Sequence, residues 1–178
     1  MPGGTRTANH RHPGAATTSR SSASESAKVL AAALAALGRR FHSRAGLKAK
    51  LADKGFSPGS IAEAEEKLEG WGYLDDLKHG RAWAESRVRV RGEGPSKIRA
   101  GLRRLGVPSE TAREIVAGIY AETPQEGLIE AAIDRWCRAR GVDPATADPA
   151  ALRRLAHHLS GRGFAETLLF RAIRNRRR

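Results

Sequence analysis

Adjacent carboxylates at Asp75 and Asp76 are the nearest approach in this 178-residue chain to an acid–base or metal-binding pair. Such chemistry needs further ligands or a base converging on the pair, and the surrounding sequence offers no such cluster. Aspartates just ahead of a helical run instead cap it, because the exposed N–H groups and the dipole favour negative charge. Gly92-Glu93-Gly94 has the glycines of a phosphate-cradling loop. It lacks the Lys-Ser/Thr of such a loop and follows no strand, so it reads as a turn with Pro95 opening the next helix. His157 and His158 are neighbours and diverge by ~100° on a helix, which suits no shared ion. Cys137 is the one cysteine. It makes neither an internal disulfide nor a thiolate metal site alone, and fits a small buried hydrophobe. No catalytic set, metal or cofactor is expected.

The basic residues carry more information. Arg81, Arg87, Arg89, Arg91, Lys97, Arg99, Arg103 and Arg104 face only Glu85 and Glu93 between positions 81 and 104. Arg87 and Arg91 share a helix face at i, i+4, as do Arg99 and Arg103. If Ile98 and Leu102 point inward, Lys97, Arg99 and Arg103 point out. A solvated face normally mixes signs, and this one does not. A second group, Arg171, Arg174 and Arg178, recurs at helical spacing near the C-terminus, where the helix dipole also favours cations. A groove of carboxylates or phosphates would answer such surfaces. Trp71, Tyr73, Trp83, Trp136 and Phe164 are interleaved with apolar positions and read as core or inter-module contacts, not as a base-stacking platform.

The elements that hold these residues are helices. The net charge is +13, and residues 77–178 supply +10 of it, so the excess belongs to folded chain. A polyanionic partner follows: nucleic acid, a nucleoprotein or an acidic protein groove. No run reaches the ~18 apolar residues of a membrane span. Residues 1–26 are poor in large apolar side chains and read as a disordered extension. No secretory signal is visible, so a cytoplasmic location is expected. Helices are expected near 27–39, 44–54, 58–70, 75–91, 95–105, 109–121, 124–140, 149–160 and 165–176. Ser57-Pro58, Asp143-Pro144 and Asp148-Pro149 are start signals, and Thr123-Pro124-Gln125-Glu126 has the form of a capping box. Gly55, Gly70, Gly106, Gly141 and Gly163 mark stops.

An internal repeat runs through this pattern. Leu47, Leu51, Gly55, Phe56, Ile61 and Leu68 correspond to Ile98, Leu102, Gly106, Val107, Ala112 and Ile119. Leu155, Leu159, Gly163, Phe164 and Leu169 form a third copy. With a helix ahead of each pair, the chain reads as all-α, with three tandem three-helix modules at 27–74, 75–122 and 123–178. Each core is small, so neighbours should pack into an elongated, curved body.

Three segments now resemble the RecX family of bacterial recombination regulators. They are Leu68–Asp76 (LEGWGYLDD), Gly92–Ile98 followed by Leu102 and Gly106-Val107, and Gly161-Arg162-Gly163-Phe164. The similarity covers roughly residues 27–178. His79, Gly80 and Glu93 depart from the family pattern. The resemblance implies tandem three-helix repeats and a non-enzymatic inhibitor of the RecA recombinase. Such a protein lodges in the groove of the RecA–DNA filament and restrains strand exchange, ATPase and coprotease activities. On that expectation the partner-binding residues are Arg87, Arg91, Lys97, Arg99, Arg103, Arg104, Arg171 and Arg174. The partners are the RecA filament and single-stranded DNA within it, met by a monomer and not by a membrane protein. The competing class is a direct DNA-binding protein of helix-turn-helix type without RecA involvement.

Overall fold

Burial follows the repeat. Leu47, Leu51, Ile61 and Leu68 are enclosed in one cluster, and Ile98, Leu102, Val107, Ala112 and Ile119 in a second. Leu155, Leu159, Phe164 and Leu169 lie in a third. A computed structural model describes residues 15–177. Among these the chain is helical and forms no strand.

The helices are α1 (Ala15–Leu37), α2 (Arg44–Ala52), α3 (Pro58–Gly70), α4 (Asp76–Arg91), α5 (Pro95–Arg104), α6 (Ser109–Glu122), α7 (Gln125–Arg138), α8 (Pro149–Ser160) and α9 (Glu166–Asn175). Packing between helices runs within α1–α3, within α4–α6 and within α7–α9. The molecule is therefore three tandem triplets, each around its own core.

Local chemistry accounts for most helix ends. The Ser57, Asp75 and Asp148 side chains accept from the backbone N–H of Ser60, Lys78 and Ala151, respectively, as N-caps do. Glycines at Gly55, Gly106 and Gly163 take φ of +82°, +83° and +89° in the three equivalent turns. That left-handed conformation stops each second helix and is ill suited to a residue with a Cβ.

Four expectations need correction. The first helix begins at Ala15, twelve residues before position 27. Its Glu25 carboxylate accepts from the Ser57 backbone N–H and hydroxyl, and Ser26 donates to Glu63, so side chains rather than apolar burial tie this turn to α3. Residues 1–14 of the expected extension, and Arg178, lie outside the described residues. Gly70 is the last residue of α3, and the left-handed position falls at Gly72 (φ +74°) instead. The capping box at Thr123 does not form: Thr123 ends α6, Pro124 stands at the N-cap of α7, and no side chain caps that helix. Asp143 opens a turn and not a helix, accepting from the Ala145 N–H at 3.0 Å.

The Glu25 contact makes stability depend on pH. The backbone N–H of Ser57 is the main cause holding the Glu25 carboxyl below its ordinary value of 4.5. Its contribution is present above the unfolded pKa and is lost as pH falls through the lower folded value. Glu25→Gln is expected to lower thermal stability near neutrality and to flatten the acid side of the stability profile. A wild-type acid limb retained in Glu25→Gln would rule the contact out as its source.

Successive triplets meet by one rule. The glycine turn of a later triplet seats on the N-terminus of the second helix of the triplet before it. Ser43, the N-cap of α2, donates from Oγ to the Leu105 carbonyl at 2.5 Å. A Cβ on Gly106 would fall 2.8 Å from Ser43 Oγ, and one on Gly46 would fall 2.8 Å from the Leu105 oxygen. At the next junction the Gly94 N–H donates to the Arg162 carbonyl at 2.7 Å and the Ser96 N–H to the Gly163 carbonyl at 3.1 Å. A Cβ on Gly163 would fall 2.5 Å from the Lys97 nitrogen. The first N–H groups of a helix have no intrahelical partner, and here the following turn supplies partners for the start of α5.

Candidate partner-binding surface

The eight sequence-selected cations fall in three places. Helix α5 buries Ile98, Gly101 and Leu102, which leaves Arg99, Arg103 and Arg104 exposed. Gly101 belongs on the buried side because the Trp83 ring lies against it; a Cβ there would fall 2.4 Å from the ring. Among the described residues none of these three arginines makes an ion pair. The face is particular to the second triplet. By the repeat, Arg99 and Arg103 correspond to Lys48 and Ala52 in the first triplet and to Ala156 and Ser160 in the third.

The second place is a cleft of about 560 Å³ where α4 and α5 meet α8. Arg91 and Lys97 line it, and so do Arg135 and Arg162, which sequence reasoning did not select. Among the described residues Glu93 is the one carboxylate in its lining. Glu93 sits in the expected turn after α4 yet is only 6 % exposed. Arg87 and Lys97 approach its carboxylate at 3.6 and 3.9 Å. Arg87 also stacks over Trp83 at 5.0 Å, and Lys97 donates to the Gly161 carbonyl at 3.2 Å. These two cations thus serve the junction as well as the surface. The Arg162 guanidinium donates to the Arg91 carbonyl and, at 3.2 Å, to His158 Nε2.

Positive charge in the cleft exceeds what Glu93 balances. Burial, and then the Arg162, Arg140 and Lys97 charges, push the His158 imidazole below its ordinary pKa. Burial and the neighbouring Arg135 likewise lower Arg162. Crowded, partly desolvated like charges are stabilised when an anion enters, so the cleft suits a phosphate or a carboxylate.

The third place holds Arg171 and Arg174, exposed on α9 beside a groove against α8. Arg171 pairs with Glu126 at 2.8 Å, whereas Arg174 has no ion pair among the described residues.

Other candidates resolve into structure. Asp75 caps α4, and Asp76 accepts from the Arg44 N–H at 2.9 Å, tying α4 to the start of α2. Cys137 is buried in the third core, and that burial pushes its thiol pKa up. Trp136 and Phe164 are core residues. Trp71 and Tyr73, on either side of the left-handed Gly72, are not: they are 55 % and 52 % exposed. Tyr73 and Trp83 share a cleft with Phe41 and His42 between the first two triplets. Among the described residues no group of three or more His, Cys, Asp and Glu could hold a metal ion, and no helix is long and apolar enough to cross a membrane.

Tandem helical triplets, one of them carrying a sign-biased arginine face, define the class of fold. The match to known sequences narrows the class. Residues 30–68 match the first three-helix domain of RecX and residues 75–115 the second. The chain is 32 % identical over 139 residues to Regulatory protein RecX of Syntrophotalea carbinolica, covering 78 % of this chain and 89 % of that one. It is 41 % identical over 91 residues to Regulatory protein RecX of Prosthecochloris aestuarii, a stretch that is 51 % of this chain and only 60 % of the relative's length. The crystal structure of RecX from Lactobacillus salivarius superposes with a TM-score of 0.72 at 17 % identity, over 86 % of this chain and 97 % of that one. This chain belongs to the RecX family of regulatory proteins.

The departures at His79, Gly80 and Glu93 have structural explanations. A Cβ on Gly80 would fall 2.9 Å from the Ile115 side chain, so the position is filled from across the core. His79 Nε2 lies 3.3 Å from the Gly72 carbonyl and braces the turn. The Glu93 carbonyl accepts from the Tyr120 hydroxyl, and the Glu93 carboxylate meets Arg87 and Lys97.

Proposed function

We propose that this chain is a cytoplasmic, monomeric, non-enzymatic inhibitor of the RecA recombinase that lies in the groove of the RecA–DNA filament. Its triplets span neighbouring protomers, so several weak contacts act as one stronger contact. The α5 arginines meet acidic protomer surface, and the cleft at the second junction receives a carboxylate or a phosphate of the bound single strand. Occupying the groove keeps duplex DNA and repressor substrates out, which restrains strand exchange and coprotease activity and slows the ATPase.

The observation that carries this reading is α5 itself. One helix sends Lys97 into the anion-suited cleft and presents Arg99, Arg103 and Arg104 with no ion pair among the described residues. The test is titration into a RecA assay of single-strand-dependent ATP hydrolysis, repeated at rising salt. Wild-type protein is expected to inhibit, and Arg99→Glu/Arg103→Glu/Arg104→Glu to need at least ~10-fold more protein for the same effect. Unchanged inhibition by the triple variant would remove the α5 face from the contact. Salt-steep binding to naked duplex DNA with no effect on the ATPase would replace this reading with direct DNA binding.

A further inference from the structure

The groove between α8 and α9 has a volume of about 930 Å³. Leu152, Ala156 and Leu168 line it half-buried, Ile173 forms part of its floor, and Phe170 stands 61 % exposed at its edge. The triplet fold does not require this apolar surface. By the repeat, Ala156, Leu168 and Phe170 correspond to Arg99, Thr111 and Arg113 in the second triplet. In the first triplet, Leu152, Ala156 and Leu168 correspond to Arg44, Lys48 and Ser60. The remaining counterparts, Pro95 in the second triplet and Ala62 in the first, are apolar, so each other copy is polar at three of these four positions and the third triplet shows more apolar surface here than its counterparts.

Charge identifies the occupant. Arg153, Arg171, Arg174 and Arg177 rim the groove, and among the described residues no carboxylate lines it. Arg171 is partly engaged by Glu126 at 2.8 Å, on α7. The other three have no ion pair among the described residues. An apolar trough between cationic walls is complementary to an amphipathic helix with aliphatic anchors on one face and carboxylates along its flanks. A nucleic acid strand fits less well, since the trough offers one exposed aromatic ring and no paired stacking surface. A second copy of this arginine-rimmed face would meet like charge.

We propose that the α8–α9 groove is a docking site for an acidic amphipathic helix of a partner protein. This site is separate from the α5 face and does not rest on the recombinase reading. It is tested with a fluorescein-labelled synthetic peptide of about 20 residues, long enough to form a helix on binding. The peptide carries Leu at i, i+3, i+4 and i+7 and Glu along its flanks, and binding to the full chain is followed by anisotropy.

Saturable binding is expected. Phe170→Asp and, separately, Arg153→Glu/Arg174→Glu are each expected to weaken it at least ~10-fold. Arg99→Glu/Arg103→Glu/Arg104→Glu is expected to leave it within ~2-fold of wild type, so failure here and failure of the ATPase test are distinguishable. Phe170 is exposed, so its replacement leaves the core intact, and circular dichroism melts verify this for both groove variants. The proposal is overturned if a peptide with the same composition but scattered leucines binds equally well, since charge alone would then explain binding. It is also overturned if Phe170→Asp abolishes oligothymidylate binding and leaves peptide binding unchanged, or if sedimentation shows a self-associated state that Phe170→Asp dissolves.

Discussion

Gly163→Ala is expected to undock the third triplet, whereas Gly55→Ala leaves the architecture whole. The two glycines are equivalent in the repeat and share a left-handed backbone, at φ +89° and +82°. Both substitutions therefore carry a similar backbone cost, about 1–2 kcal/mol. Their surroundings differ. A Cβ on Gly55 meets nothing within 4 Å, but one on Gly163 lies 2.5 Å from the Lys97 nitrogen and 2.6 Å from its Cβ. Relieving that collision forces backbone movement and adds about 1–3 kcal/mol. The movement also breaks the bonds from the Gly94 and Ser96 N–H groups. Urea unfolding measures the stability difference, and hydrogen exchange at Gly94 and Ser96 reports undocking directly. Gly161→Ala is the control: that residue is right-handed at φ −62°, and its Cβ would meet only ordinary contacts at 3.5 Å. Equal losses in the Gly55 and Gly163 variants, with Gly94 and Ser96 still protected, would contradict the seating of turn on helix start.

Leu102→Ala is expected to cost about 2–5 kcal/mol, the range for emptying a fully enclosed leucine site. Leu102 is fully buried in the second core. The extensive helix packing is within triplets, with Leu128 of α7 the added neighbour of the second core, so the damage should concentrate there. Exchange should accelerate across residues 76–122 and change less across 149–175. Arg103→Ala, one residue along the same helix but exposed, should stay within about 0.5 kcal/mol of wild type. Uniform acceleration through all three triplets would show that the molecule unfolds as one unit instead.

Contacts inside a triplet were legible in the sequence because they follow from spacing. Ile98 and Leu102 are one helical turn apart, and both are buried. Caps at Ser57, Asp75 and Asp148 followed from short-range hydrogen bonding. Contacts between triplets left little trace. They join main-chain groups of one triplet to main-chain or side-chain groups of the next, pairings that no helical spacing announces; Gly94 shows the same letter as a plain turn residue although it abuts Gly163. Charge orientation was equally hidden. The sign excess between residues 81 and 104 was readable, but nothing showed that Arg87 and Lys97 turn toward a buried Glu93. Trp71, expected in the core or between modules, is instead 55 % exposed at the C-cap of α3, whereas Tyr73, also half-exposed, does line the cleft between the first two triplets.

The seating of each turn on a helix start sets where the molecule yields. Three triplets with separate cores meet through contacts that include main-chain bonds, so bending at the junctions would leave the cores in place. Deformation is expected to collect beside Gly106 and Gly163, where each later turn seats on a helix start. A body jointed in this way would flex where main chain meets main chain before any triplet gave up its interior.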